Sequence, residues 1–397
     1  MTIKLQVYKE LRIVPVRFER AKTGSPDETF PDIDDRGHNF KVPAVDGFAE
    51  SKEIRGPVVG LRKRQKIKLR LVREYIDLAA PLYLTSSDET TIKVLDPAAG
   101  KKLPGTKETT VELEGGDFAQ AKPKSAKIEV RYESKDGPII YELTAYVFPP
   151  LTVNLQPHIV TIHNSSGTGG VKPSINLDQV MAQVKALWSP CGINLRVRPK
   201  KSWSINLPNA NKVRDIAVTT ADVNAVLATQ WEADNINIYI VREIENALGY
   251  GFSKAAHAGF GISKPSVFAG EKEGTTVRGA GDTYWWANDL AHELGHFFTL
   301  WHPSDDDNRG DDTWTRWETW SMHFLMHNYN YTGRSGPPGD PADWPTFNDF
   351  GYGKHSSGNP FRAGLIPLKN VRTGAGAGLD AQCSTARNHI KDPTNLY

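Results

Sequence analysis

A chain of 397 residues, 39% hydrophobic and 24% charged, has ordinary globular composition, which excludes a disordered, collagen-like or disulfide-dense protein. Lys plus Arg number 48 against 46 Asp plus Glu, a formal charge of +2, so no chain-wide electrostatic grip on nucleic acid or anionic membrane is expected. The sequence has no run of about 18 apolar residues, so no membrane-spanning helix is expected.

The length predicts more than one domain. Residues 1–60 read as an N-terminal arm with edge strands. Their clearest element is a short strand at Ile13-Val14-Pro15-Val16-Arg17-Phe18, placed at a sheet edge by its proline. Residues 61–150 read as an all-β domain, an Ig-like sandwich. Lys66 to Leu71, Val111 to Leu113, Ile128 to Tyr132 and Tyr141 to Val147 alternate apolar with polar, and Gly, Pro and Asp turns separate them. The basic run Arg62-Lys63-Arg64 with Lys66, Lys68 and Arg70 reads as a solvated strand face rather than a polyanion patch.

Pro149-Pro150 marks a boundary. Residues 151–397 then alternate strands and helices, giving an α+β catalytic domain. Residues 151–156 and then 159–162 are predicted to form an extended segment. A helix follows, with Leu177, Val180, Met181, Val184, Leu187 and Trp188 on one stripe, Asn176 as cap and Pro190 as stop. Further predicted elements are a strand at 193–197, a helix at 221–231, a strand at 236–240 and a C-terminal helix within 379–390. The glycines of 249–261 lack the spacing of a phosphate cradle. The two cysteines, Cys191 and Cys383, exclude a disulfide framework and an all-cysteine zinc site. A single bridge and two buried thiols both stay open.

One segment carries chemistry: His292-Glu293-Leu294-Gly295-His296, followed by His302. On a helix, positions i and i+4 share a face, so His292 and His296 can aim two imidazole nitrogens at one zinc ion. Glu293 stands beside the first ligand and can reach a water on that metal. His302 can return as a third imidazole, leaving one open position, as catalytic zinc sites require. The plainer alternative is an apolar helix that carries satisfied histidines.

The segment resembles the HExxHxxGxxH motif of the metzincin zinc metallopeptidases. The resemblance implies His292, His296 and His302 as metal ligands for one catalytic Zn2+ and Glu293 as general base. It also implies a methionine turn, assigned to Met326 in preference to Met322, with Tyr329 as a transition-state stabiliser. The sequence departs from the motif at Thr299, which replaces the glycine where such a chain leaves its helix in a left-handed conformation.

The function expected is a zinc-dependent endopeptidase acting on a protein or peptide substrate. It is read as a secreted or delivered bacterial effector or toxin. Residues 1–10 carry no apolar signal region, so a non-Sec route is expected, with the N-terminal β domain serving a delivery or docking partner. One alternative is a zinc amidase acting on peptidoglycan. The other is a binding or adhesion protein with a vestigial zinc site. The loop 305–312, with Asp305, Asp306, Asp307, Asp311 and Asp312, offers oxygen ligands for Ca2+, although a solvated acidic loop explains it more simply.

Overall fold

The computed structural model describes residues 16–20, 38–40, 54–55, 58–74, 76–273, 276–277, 283–300, 382–392, 394 and 396. The chain divides into two compact units. The first comprises residues 1–24, 30–39 and 55–149, and the second 25–29, 40–54 and 150–397.

The first unit is built on two four-stranded sheets. Its strands are β1 (Val16–Arg20), β4 (Val58–Arg62), β5 (Lys66–Arg73), β6 (Leu82–Ser86), β7 (Ile92–Asp96), β8 (Glu108–Gly115), β9 (Lys124–Tyr132) and β10 (Ile139–Phe148). Two short strands, β2 (His38–Phe40) and β3 (Ile54–Arg55), pair with each other. One sheet runs β1-β5-β8-β7 and the other β4-β10-β9-β6. Alternation decides which side chains enter the core. Ile67, Leu69 and Leu71 of β5 are buried with Val111 and Leu113 of β8, and with Ile128, Val130, Leu143 and Ala145 of the other sheet. β1 takes its place through Val16 and Phe18, both buried, on either side of exposed Arg17. Three members of the basic run, Arg64, Lys66 and Arg70, form ion pairs. Lys66 Nζ lies 3.7 Å from Glu112 and Arg70 3.0 Å from Glu108, while Arg64 pairs with Asp117. Exposed pairs of this kind contribute little stability.

The second unit centres on a mostly parallel sheet ordered β12-β11-β15-β17-β16. These are β11 (Leu151–His163), β12 (Ile193–Val197), β15 (Ile236–Ile244), β16 (Gly249–Phe252) and β17 (Ser266–Glu273). β13 (Lys201–Asn206), β14 (Lys212–Val213) and β18 (Thr276–Val277) pair with β11, β15 and β17 respectively. β16 alone among the path strands runs antiparallel to its neighbour.

The extended segment expected over 151–156 and 159–162 is the single strand β11. Proline usually interrupts a sheet because it cannot donate to the ladder. Pro157 falls where β11 changes partner on one side: Leu155 is the last residue paired with β12 and His158 the first paired with β13. Gln156 bridges the interval by donating through Nε2 to Pro199 O at 2.9 Å.

Helix α1 (Leu177–Trp188) buries Leu177, Val180, Met181, Val184 and Trp188, and Asn176 Oδ1 accepts from Gln179 N. A 3-10 turn over Ser189–Cys191 continues it to Gly192, whose φ of 70° ends the turn. Helix α2 (Ala221–Thr229) stops two residues before the expected end, because Gln230 is extended. Asp222 in its first turn is buried and receives two bonds from the Arg214 guanidinium and one from the Arg214 backbone. Burial alone would raise that carboxyl; the Arg214 bonds outweigh it and hold the pKa down. Helix α4 (Gln382–Lys391) closes the chain. Its buried Arg387 donates to Cys191 O at 2.7 Å, and desolvation lowers the guanidinium pKa to about 10. Cys191 is disulfide-bonded, and Cys383 is the only other cysteine in the sequence.

Candidate active site

The HExxH segment lies on α3 (Thr283–Phe297). Trp286, Ala287, Leu290, Ala291, Leu294 and Phe297 are fully buried. Their spacing makes one continuous helical stripe. The helix packs against α1, β16 and β17. Trp188 of α1 meets Phe298 edge-on, with ring centroids 5.0 Å apart. Thr283 Oγ1 donates to Gln179 Oε1 at 3.4 Å and ties the starts of the two helices together. Three ionisable residues of α3 are enclosed as well: His292 is 3% exposed, Glu293 8% and Asp289 2%. Burying three ionisable side chains on one helix costs free energy that packing alone does not demand.

The two histidine rings stand one turn apart, centroids 4.7 Å and planes 88° from each other. The end of the helix sets the proton on the second. Thr299 N donates to His296 O and Leu300 N to Gly295 O, both at 2.9 Å. This closes the helix with Thr299 at φ +64°. Thr299 therefore adopts the left-handed geometry itself, the conformation a glycine would take at no steric cost. The closure brings Leu300 O to 2.9 Å from His296 Nδ1. A carbonyl can only accept, so Nδ1 carries the proton and Nε2 bears the lone pair. That is the tautomer a metal-binding imidazole needs, held by the kind of outer partner such ligands use. The donor chemistry of α3 thus fits a zinc ion.

Gly249 and Gly251 of β16 face the same turn of α3, and ideal Cβ atoms on them would collide with Glu293 and His296. In the sequence these glycines belong to a glycine-rich stretch, 249–261, and the strand β16 was not predicted. Nothing in the sequence said which helix they would meet. Tyr250 and Phe252 point to the opposite face, in the core that also holds Val223, Val226 and Leu227 of α2. Tyr250 OH lies 3.5 Å from Asp215 Oδ1, and burial pushes its phenol pKa well up.

His302, Met322, Met326, Tyr329, the 305–312 loop with its candidate calcium ligands, Trp314, Trp317, Trp320, His323 and His327 lie outside the described residues. Among the described residues, no group of three or more His, Cys, Asp or Glu side chains is arranged to hold a metal ion.

No protein-family model matches the chain, and no curated protein matches it. Among solved structures, a sialyltransferase from Photobacterium damsela is similar at 10% identity over 46% of this chain and 35% of that one, with a TM-score of 0.19. A Bacteroides ovatus GH5 xyloglucanase is similar at 10% identity over 66% of this chain and 58% of that one, with a TM-score of 0.17. The chain thus spans less than two thirds of either structure, and neither likeness is close enough to describe its fold. The metzincin resemblance is corrected on these findings. No family model returns it, and the described residues hold no complete zinc-binding group. The HExxH spacing reflects which residues share a helix face, and it does not carry a family assignment with it.

Proposed function

We propose that the chain is a zinc-dependent hydrolase that cleaves peptide bonds within a protein substrate. The observation that carries this reading is the helix turn in which His292 and Glu293 are buried beside the half-buried His296, which Leu300 O fixes as the Nδ1–H tautomer. His292 and His296 would hold the ion, with His302 as the expected third ligand. Zinc, when bound, supplies a Lewis acid that polarises the scissile carbonyl and acidifies a water molecule. Glu293 accepts the water proton and returns it to the leaving amine, as a general base and then a general acid. A disulfide at Cys191 supports action outside a reducing cytosol, in keeping with a secreted effector. No helix among the described residues is long and apolar enough to cross a membrane.

Zinc-loaded full-length chain is incubated with a denatured protein pool, with Glu293→Ala alongside. Cleavage by the wild type, reduced at least about 100-fold in the variant, is the expected result, and the fragment ends give the specificity. Equal cleavage by both chains removes Glu293 as the base. Cleavage of peptidoglycan but of no protein moves the substrate to a cell-wall amide.

A further inference from the structure

Gly249 and Gly251 are two residues apart on β16, so both turn to one face of the strand. A Cβ on Gly251 would stand 2.1 Å from Glu293 O and 2.7 Å from His296 Cβ. A Cβ on Gly249 would stand 2.5 Å from Glu293 Cγ, 2.9 Å from its Cδ and 2.8 Å from Phe268 O. Neither glycine has a positive φ, so the strand backbone would accept any residue at either position. What forbids a side chain at Gly251 is the helix, and at Gly249 the helix together with Phe268 O of β17. On the helix, the obstruction falls on Glu293 and His296 of the HExxH turn. Residues Tyr250 and Phe252, on the other face, carry large rings 5.6 Å apart, so the strand is not short of side chains in general.

We propose that Gly249 and Gly251 are positioning residues for the site, resting on the reading of α3 as the metal-binding helix of a hydrolase. Gly251 admits the strand to backbone contact with Glu293 and so sets where His296 stands relative to the sheet edge. Gly249 leaves the volume that the Glu293 methylene and carboxyl carbons occupy, and so sets where the general base points. The two glycines therefore act on different functions. An alanine at 251 displaces helix backbone and a ligand, whereas an alanine at 249 displaces the base and leaves the ligands in place.

The test uses full-length chain and three variants: Gly251→Ala, Gly249→Ala and Gly259→Ala. Gly259 is the control, since a Cβ there meets nothing within 4 Å. Zinc affinity is measured by competition with a chromophoric chelator, the ligand field by the cobalt(II) absorption band, and kcat and KM on the cleaved substrate. Gly251→Ala is expected to weaken zinc binding by about 10- to 100-fold, the range for loss of an outer support, and to alter the cobalt band. Gly249→Ala is expected to bind zinc as the wild type does and to lose kcat at least about 10-fold with KM little changed. Gly259→Ala should match the wild type throughout. Wild-type zinc affinity and an unaltered cobalt band in Gly251→Ala, or wild-type kcat in Gly249→Ala, overturn the proposal. Circular dichroism checks folding; if Gly251→Ala does not fold, the kcat of Gly249→Ala decides. If the wild type cleaves nothing, the hydrolase reading fails while zinc affinity and the cobalt band still decide the role of Gly251.

Discussion

Thr299 ends α3 at φ +64°. A left-handed conformation costs an L-residue about 1–2 kcal/mol, and a β-branched side chain is among the least suited to it. The cost is offset locally: Thr299 Oγ1 donates to Phe298 O at 2.6 Å, and the two backbone bonds to His296 O and Gly295 O close the turn. Strain of this kind is often kept beside functional groups, and here the same turn delivers Leu300 O to His296. Thr299→Gly is expected to raise unfolding free energy by about 0.5–1 kcal/mol, read from urea unfolding; a decrease would mean that the hydroxyl bond outweighs the strain. At this scale the sequence was legible in part. His292, Glu293 and His296 announced themselves because i, i+4 spacing is a property of the helix alone. The conformation of Thr299 did not, because a threonine predicts the opposite of what the closure of the helix imposes.

Between elements, the parallel sheet is pinned by a buried polar network around His158. Trp203 Nε1 on β13 donates to His158 Nδ1 at 3.2 Å, so Nε2 carries the proton and meets Asn237 Oδ1 on β15 at 3.1 Å. Asn237 in turn donates to Glu232 O and Asn235 O, and accepts from Glu232 N. The His158 ring stacks on Tyr239 at 4.8 Å. Desolvation by burial lowers the His158 pKa below its ordinary 6.5, although Asn237 opposes the shift. The folded state therefore resists protonation that the unfolded chain accepts. Stability from this site is complete above about pH 6.5 and declines as pH falls through the lower folded-state value. Thermal unfolding of the wild type should shift downward below about pH 6.5, and His158→Gln should remove much of that acid slope; an unchanged slope would place the titration elsewhere. This network was not legible beforehand, since its members are distant in sequence and His158 reads as an ordinary strand residue. β17 was missed for a related reason. A strand covered on both faces loses its alternation, and Ser266-Val267-Phe268-Ala269-Gly270-Glu271 has none. The strands of the first unit, with one face wet, kept theirs.

For the whole molecule, the near balance of charge leaves cohesion to the apolar cores of the two units, and to a covalent link at Cys191. That residue ends the turn after α1, where Arg387 of α4 reaches its carbonyl. Reduction, or Cys191→Ala, is expected to lower unfolding free energy by about 2–4 kcal/mol, the usual value for a native disulfide, measured by denaturation with and without reductant. Unchanged stability would show that α4 holds its place by packing alone. The sequence left this point open because it gives only the number of cysteines, and pairing depends on distances that the fold creates.

The way β11 is paired has a consequence for how the protein is made. Each of its partners, β12, β13 and β15, lies later in the chain. During synthesis the strand leaves the ribosome with Val153, Leu155, Ile159, Val160 and Ile162 exposed, all of which are buried in the finished sheet. It must wait for β15 before its second edge is covered. A nascent apolar strand with open edges invites pairing with other chains, so the yield of native protein depends on what shields that stretch until translation reaches the rest of the sheet.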